Sequence, residues 1–113
     1  MLLKIAPILP ALNISDTNLF YRNKLKFGTH NYGNYLLVFK DQLEIHFYEW
    51  ADPLNFLPSS CYIFDDNIPD LYARFSSMDI IYPKGILRTN SWGKQEFQVV
   101  DNNGNTLKFA SGR

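Results

Sequence analysis

The sequence predicts an α+β fold made of two βαβββ halves, because the same order of elements occurs twice. A strand, a helix and further strands are predicted at 3–12, 16–26, 35–39 and 43–48, and again at 61–64, 68–78, 80–87, 96–100 and 106–110. Two such halves build curved mixed sheets whose inner sides can surround a cavity. We therefore expect one domain over 1–113, with a first half at about 1–50, a linker at about 51–58 and a second half at about 59–113.

The helix ends and turns follow from short polar residues, glycine and proline. Ser15 or Asp16 is predicted to cap the first helix, since a short side-chain oxygen accepts an unpaired backbone N–H there. Gly28 is predicted to end that helix. The run Asp65-Asp66-Asn67 is predicted to cap the second helix, Pro69 suits its first turn, and Gly104 allows a hairpin turn over 102–105.

One strand shows a polar and aromatic face by its alternation. Leu43, Ile45 and Phe47 lie on one side of the predicted strand 43–48, and Glu44, His46 and Tyr48 on the other. A half-buried strand alternates in this way, and the second of its two faces is polar and aromatic.

Composition excludes several classes of function. The chain has 113 residues and a formal net charge of zero, with lysine and arginine scattered singly, so no field attracts nucleic acid or an anionic membrane. No apolar run approaches the roughly 20 residues of a membrane span. A single cysteine and the absence of a signal-peptide pattern predict a cytoplasmic protein. Aromatic residues reach 16%, which favours rings that line a groove or an interface.

The sequence resembles the vicinal oxygen chelate superfamily, which includes glyoxalase I, extradiol dioxygenases and bleomycin-resistance proteins. The residues that carry the resemblance are Asp16-Thr-Asn-Leu-Phe-Tyr21, Leu25-Lys-Phe-Gly28, Ser91-Trp-Gly93, and Val100-Asp-Asn-Asn-Gly-Asn105, with Asn102 and Asn103 departing from the family's DPDGN turn. The stretch 42–47 with Asp52-Pro-Leu54, Ser59-Ser-Cys61 and Asp65-Asp66 is closest to the bleomycin-resistance subgroup. The resemblance implies the family's fold over essentially the whole chain and a homodimer, often with an exchanged strand.

The resemblance also implies four positions where metal-dependent members carry ligands. They fall on Ala6, His46, Ser59 and Lys108, of which only His46 is a good ligand. We therefore expect no catalytic metal and no cofactor. The implied function is non-catalytic binding of a planar or cationic antibiotic-like molecule, held in grooves between subunits. The alternatives left open are a metal-dependent lyase, isomerase or thiol transferase of the same fold, and a scaffolding domain whose aromatic surface binds protein.

The candidate ligand-binding residues are Tyr35, His46, Tyr48, Phe56, Trp92, Glu96, Gln98 and Lys108. The alternation and the carried-over register predict all of them except Phe56, which lies on the proline-flanked linker and can cover the groove or pack on a partner subunit. Flat rings separated by a few polar groups suit a heteroaromatic ligand. Each residue also has a plainer interpretation. Tyr35 and Trp92 can serve core or dimer packing, His46 can be a structural histidine, and Lys108 can form a cross-strand ion pair with Glu44 or Glu96. Cys61 is predicted to be a small buried apolar side chain.

Overall fold

The computed structural model describes residues 1–112, and its elements follow the predicted order of two βαβββ halves. The elements of the first half are β1 (Ile8–Ala11), α1 (Ile14–Asn23), β2 (Gly28–Asn31), β3 (Tyr35–Lys40) and β4 (Leu43–Glu49). Those of the second half are β5 (Ser60–Asp65), α2 (Ile68–Ser76), β6 (Arg88–Thr89), β7 (Gln95–Val100) and β8 (Thr106–Ser111). The predicted fold class is confirmed.

Each half contains its own four-stranded mixed sheet. The strand orders are β1-β4-β3-β2 and β5-β8-β7-β6, so β1, β2, β5 and β6 are the edge strands. In both sheets the first strand runs parallel to the last one, and the other neighbours are antiparallel. Residue contacts divide the chain into two compact units, Met1–Pro58 and the part from Ser59 onward.

Each helix packs its apolar stripe on one face of the sheet in its own half. In α1, Ile14, Thr17 and Tyr21 are buried, and the Tyr21 ring lies 4.9 Å from the ring of Phe47 on β4. In α2 the buried residues are Ile68, Leu71 and Phe75, and the Phe75 ring contacts Phe97 and Phe109 at 6.3 and 5.6 Å. The opposite face of each sheet is left without a helix from its own half.

The N-terminal cap of α1 differs from the prediction. Asn13, and not Ser15 or Asp16, occupies the cap, and its side chain accepts the backbone N–H of Asp16. The helix ends three residues before its predicted end, with Lys24 as its C-cap, and Lys26 takes the left-handed φ of 62°. Gly28 therefore does not end the helix. It begins β2, where an added Cβ would lie 2.5 Å from the Phe39 ring.

Two strand predictions were also too long. The apolar stretch 3–12 contributes only β1, and the residues before it carry no regular structure. The stretch 80–87 contains a single bridge between Ile81 and Val99, followed by the two-residue β6. Pro83 lacks a backbone donor, and the Gly85 N–H closes a turn onto the Tyr82 carbonyl, so an extended strand cannot run through this segment.

The turn 102–105 is confirmed, with Gly104 at a φ of 87°. The Asp101 carboxylate accepts the backbone N–H groups of Asn103 and Asn105 at 2.8 and 2.9 Å. The buried side chain of Asn105 in turn accepts the Ser59 N–H at 2.8 Å, which fixes the start of β5 against β8. Asp101 and Asn105 therefore have a structural role, because they hold the turn and the start of β5 together.

Within residues 1–112, no helix has the length and apolar character needed to cross a membrane.

Candidate functional site

The open face of the first sheet carries three of the candidate side chains and, beside them, Glu44. Tyr35 on β3 pairs in register with Tyr48 on β4, and Leu37 pairs with His46. Because directly opposite residues of an antiparallel pair share a face, Tyr35, Glu44, His46 and Tyr48 all point to the side away from α1. We call this set, together with Lys4, Trp50 and Phe56, the first-half face.

Hydrogen bonds connect the polar members of the first-half face in a line. The Lys4 ammonium lies 2.5 Å from Glu44 Oε1, and Glu44 Oε2 lies 2.6 Å from His46 Nε2. His46 Nδ1 lies 2.7 Å from the Tyr35 hydroxyl. The hydrogen bond from Lys4, and then the one from His46, hold the pKa of the Glu44 carboxyl below its usual value. Glu44 is therefore ionised at neutral pH, and the cation that pairs with it is Lys4.

Three aromatic rings continue the first-half face along the end of β4 and into the linker. The Tyr48 and Trp50 ring centroids lie 6.1 Å apart, and Trp50 meets Phe56 edge to face at 5.9 Å. The Trp50 indole N–H donates to the Asp52 carbonyl at 2.6 Å, while Asp52 caps a single 3-10 turn over Pro53–Asn55. The rings of this ladder are thus held by the backbone of the linker.

The open face of the second sheet holds the remaining strand residues among the candidates. Gln98 on β7 pairs with Lys108 on β8, and Glu96 pairs with Ala110, so the side chains of Glu96, Gln98 and Lys108 share one face. Tyr62 on β5 pairs with Lys108 and joins the same side. We call this set, with Phe64, the second-half face.

Glu96 is the most enclosed charged residue of the second-half face, with 5% of its surface exposed. Its carboxylate accepts hydrogen bonds from the Tyr62 hydroxyl and the Asn90 amide, both at 2.9 Å. Burial, followed by the hydrogen bond and charge of Glu96, raises the pKa of Tyr62 above its usual value. These two neutral donors fix the orientation of the Glu96 side chain on the face.

Exposed aromatic surface lies beside Glu96. Tyr62 and Phe64 meet edge to face at 5.3 Å and remain 43% and 63% exposed, and the Lys94 ammonium lies 5.9 Å from the centre of the Phe64 ring. The prediction that Trp92 lies on the strand face is wrong. Trp92 lies in the β6–β7 turn, where its side chain is 68% exposed. The turn is held by the Asn90 side chain, which accepts the backbone N–H groups of Trp92 and Lys94.

The candidate residues predicted from the sequence did not include Trp50, Tyr62 and Phe64, although all three continue an alternating pattern along their strands. Trp50 continues the alternation of Glu44, His46 and Tyr48, and Tyr62 and Phe64 alternate in the same way along β5. The missing information was the parallel pairing of β5 with β8, which shows which side of β5 faces away from the helix.

The side chains on these faces do not fit a metal ion. Both ring nitrogens of His46 are engaged, and Glu96 already accepts two hydrogen bonds. The register places Ile8 beside His46 and Tyr62 beside Lys108, whereas Ala6 and Ser59 precede their strands. Across the described residues, 1–112, no three His, Cys, Asp or Glu side chains are grouped so that they could hold a metal.

Comparisons with known proteins give the chain full-length relatives. No protein-family model matches the chain. It is 25% identical over 126 aligned positions to the bleomycin resistance protein of Geobacillus stearothermophilus, with 96% of each chain covered. A bleomycin resistance protein of Staphylococcus aureus gives the same figures.

Solved structures share the fold over nearly the whole length. A bleomycin-binding protein from Streptomyces verticillus, complexed with copper(II)-bleomycin, matches with a TM-score of 0.83 and 18% identity, covering 100% of this chain and 98% of that one. A lactoylglutathione lyase from Agrobacterium tumefaciens matches with a TM-score of 0.76 and 15% identity over 96% and 93% of the two chains. The chain thus has the fold of the glyoxalase/bleomycin resistance superfamily, and bleomycin resistance proteins are among its homologues.

Proposed function

We propose that this chain is a non-catalytic binding protein of the bleomycin-resistance type, which sequesters a planar, cationic ligand on the open faces of its sheets. The observation that carries the proposal is the combination of exposed rings and oriented carboxylates on these faces, in a chain whose full-length relatives are bleomycin resistance proteins. Sequestration requires affinity and no bond breaking, which agrees with side chains that hold one another rather than a metal.

The aromatic ladder of the first-half face supports a flat ligand. Tyr48, Trp50 and Phe56 present adjoining rings, and a heteroaromatic ring system stacks favourably on such surfaces. Because the Trp50 indole N–H is already bonded to the linker, its ring face is held in place before a ligand arrives. A preorganised ring loses less side-chain entropy on binding than a mobile one.

The second-half face supports recognition of positive charge. The Glu96 side chain lies between two neutral donors, and the rings of Tyr62 and Phe64 lie beside it. A cationic group of the ligand can meet the carboxylate and the ring faces together, through ion pairing and cation–π attraction. Gln98 and Lys108 on the same face provide a neutral amide and a cation that restrict where such a group binds.

A homodimer is part of the proposal, because apolar side chains before and in β1 are open to solvent. Leu3, Ile5 and Ile8 are 87%, 89% and 57% exposed, and Met1 and Leu2 are exposed as well. Contiguous apolar surface of this kind marks interaction sites in soluble proteins. A second copy that covers this segment would complete grooves in which the ligand is enclosed.

The test is a calorimetric titration of the protein with bleomycin at low and moderate salt. We expect saturable binding of about one drug per chain, weakened roughly tenfold in Trp50→Ala, since a stacked ring contributes about 0.5–1.5 kcal/mol beyond its buried area. Tyr32→Ala is the control, because Tyr32 lies 67% exposed in the β2–β3 turn. Absence of both binding heat and a thermal shift would refute bleomycin as the ligand. Near-stoichiometric metal in protein purified without chelator would contradict the non-catalytic proposal.

A further inference from the structure

The distances and charges along the hydrogen-bonded line on the first-half face determine which group donates the proton at each contact. It runs from Lys4 through Glu44 and His46 to the Tyr35 hydroxyl, with successive distances of 2.5, 2.6 and 2.7 Å. Glu44 is ionised, since the Lys4 ammonium and the His46 ring both stabilise its charged form. A carboxylate only accepts hydrogen bonds, so the proton between Glu44 and His46 belongs to Nε2.

The tautomer of His46 then determines the role of Tyr35. In a neutral imidazole one nitrogen donates and the other accepts, so Nδ1 is the acceptor once Nε2 carries the proton. The Tyr35 hydroxyl must donate its single proton to Nδ1 across the 2.7 Å contact. The lone pairs of its oxygen are the only hydrogen-bonding capacity left for a ligand.

We propose that Tyr35 is a specificity-determining residue that acts as a hydrogen-bond acceptor while the His46 ring is neutral, so that the ligand group opposite it is an N–H donor such as an amidinium or ammonium. This inference rests on the proposed ligand-binding function and names the chemistry that the first-half face selects. A ligand that presents a carboxylate or carbonyl at this position finds no donor on Tyr35. Such a ligand is also repelled by the negative charge of Glu44, which lies two residues before His46 on β4.

The ionisable groups that face His46 are Tyr35 from β3, Glu44 and Tyr48 from β4, and, through Glu44, Lys4 from the N-terminal segment. Ile8 on β1 and Leu37 on β3 are the apolar residues that lie directly opposite it.

The first experiment needs no ligand. Nitrogen NMR of protein labelled in its histidine rings reports which ring nitrogen carries the proton. We expect His46, at a pH where its ring is neutral, to be protonated on Nε2 with Nδ1 as a hydrogen-bonded acceptor. His30, whose ring stacks on Phe39 at 5.1 Å, is the internal comparison. A neutral His46 with its proton on Nδ1 would overturn the proposal.

The second experiment compares two probes of the same size and opposite hydrogen-bonding character. Benzamidinium offers N–H donors and benzoate offers only acceptors, and we expect benzamidinium to bind at least tenfold more tightly at a pH where the His46 ring is neutral. Tyr35→Phe keeps the ring and removes the oxygen, and it should weaken benzamidinium binding roughly tenfold, as expected for a charged hydrogen bond. Because Glu44 remains in that variant, the loss reports the hydroxyl and not the general attraction of the carboxylate.

Controls separate this inference from the proposed function. Tyr32→Phe removes a hydroxyl from the exposed β2–β3 turn and should leave binding unchanged. Benzamidinium that fails to bind, or that binds Tyr35→Phe as well as the parent protein, overturns the acceptor role. If benzamidinium behaves as expected and bleomycin is not bound, the proposed ligand is wrong while the role of Tyr35 stands.

Discussion

Gly85 is required by the neighbouring strand rather than by a turn of unusual backbone geometry. An added Cβ would lie 2.5 Å from the Gln98 Cβ and 3.1 Å from its backbone nitrogen. The Gln98 N–H donates to the Gly85 carbonyl, and the Gln98 carbonyl accepts from Tyr82, both at 2.8 Å. These hydrogen bonds hold the two backbones at the distance at which only glycine fits.

We predict that Gly85→Ala lowers the free energy of unfolding by about 1–3 kcal/mol, because the strand must shift to admit the methyl group. Gly112→Ala is the matched control, since its nearest neighbour would lie at an ordinary 3.5 Å. Urea unfolding of both variants measures the difference. Equal stability of the two variants would contradict the close contact at Gly85.

Cys61 on β5 is half-buried, so it is less enclosed than the buried side chain that the sequence predicted. Burial, with a smaller contribution from the Asp101 charge, raises the pKa of Cys61 from 9.0 to about 11. The folded protein therefore holds the thiol proton at pH values where the unfolded chain releases it. Stability is unaffected below about pH 9 and falls as the pH rises from there toward 11.

We predict that Cys61 reacts with a thiol reagent near pH 8 much more slowly in the folded protein than in urea, since the thiolate is the reactive form. The reaction rate in the folded state should keep rising beyond pH 9. In Cys61→Ala the alkaline loss of stability should be smaller than in the parent protein. A native rate equal to the rate in urea would show that the thiol is neither buried nor shifted.

The N-cap residue of a helix is difficult to predict from sequence when several short polar residues lie near the start of the helix. Asn13, Ser15 and Asp16 all have a suitable oxygen, and the structure places Asn13 at the cap with extended backbone angles of −147° and 117°. Asp16 instead lies in the first turn, where its charge stabilises the helix dipole. Asn67 caps α2 in the same way, as predicted.

We predict that Asn13→Ala costs about 1 kcal/mol of stability, as expected for the loss of an N-cap side chain. Ser15→Ala should be nearly neutral, because Ser15 lies inside the first turn of α1. Thermal unfolding of the two variants tests the assignment. A larger loss in Ser15→Ala would place the cap where the sequence alone suggested it.

The strands with clear alternation were predictable, and those defined by their partners were not. Five strands begin and end within one residue of their predicted positions, because their side chains alternate clearly: β3, β4, β5, β7 and β8. The short lengths of β1 and β6 depend on which neighbouring strands offer hydrogen bonds. A single amino-acid sequence does not show which strands are neighbours. The same limit explains the site: alternation found His46 and Tyr48, whereas Tyr62 needed the pairing of β5 with β8.

At the scale of the whole molecule, the described chain leaves an apolar N-terminal segment exposed. Leu2, Leu3 and Ile5 are each more than four-fifths exposed, although Lys4 between them pairs with Glu44. A segment that is anchored by one ion pair and otherwise open to solvent is suited to burial against a second copy. This gives the proposed dimer a specific location on the chain.

We predict a stable dimer at micromolar concentration in sedimentation experiments. Replacing Leu2, Leu3 and Ile5 by serine should shift the protein toward monomer, because the apolar surface that a partner would cover is lost. Leu19→Ser, on the exposed side of α1, is the control for general loss of apolar surface. A parent protein that sediments as a monomer would contradict the dimer.

Strand β5 lies at one edge of its sheet, and this has a consequence for handling the protein at high concentration. Its six residues, Ser60–Asp65, contain no proline, whereas the edge strand β1 contains Pro10 and β6 has only two residues. An uninterrupted edge with exposed Tyr62 and Phe64 can pair with a strand of another molecule. Aggregation on partial unfolding should therefore begin at this edge, and a charged residue in place of Tyr62 or Phe64 should delay it.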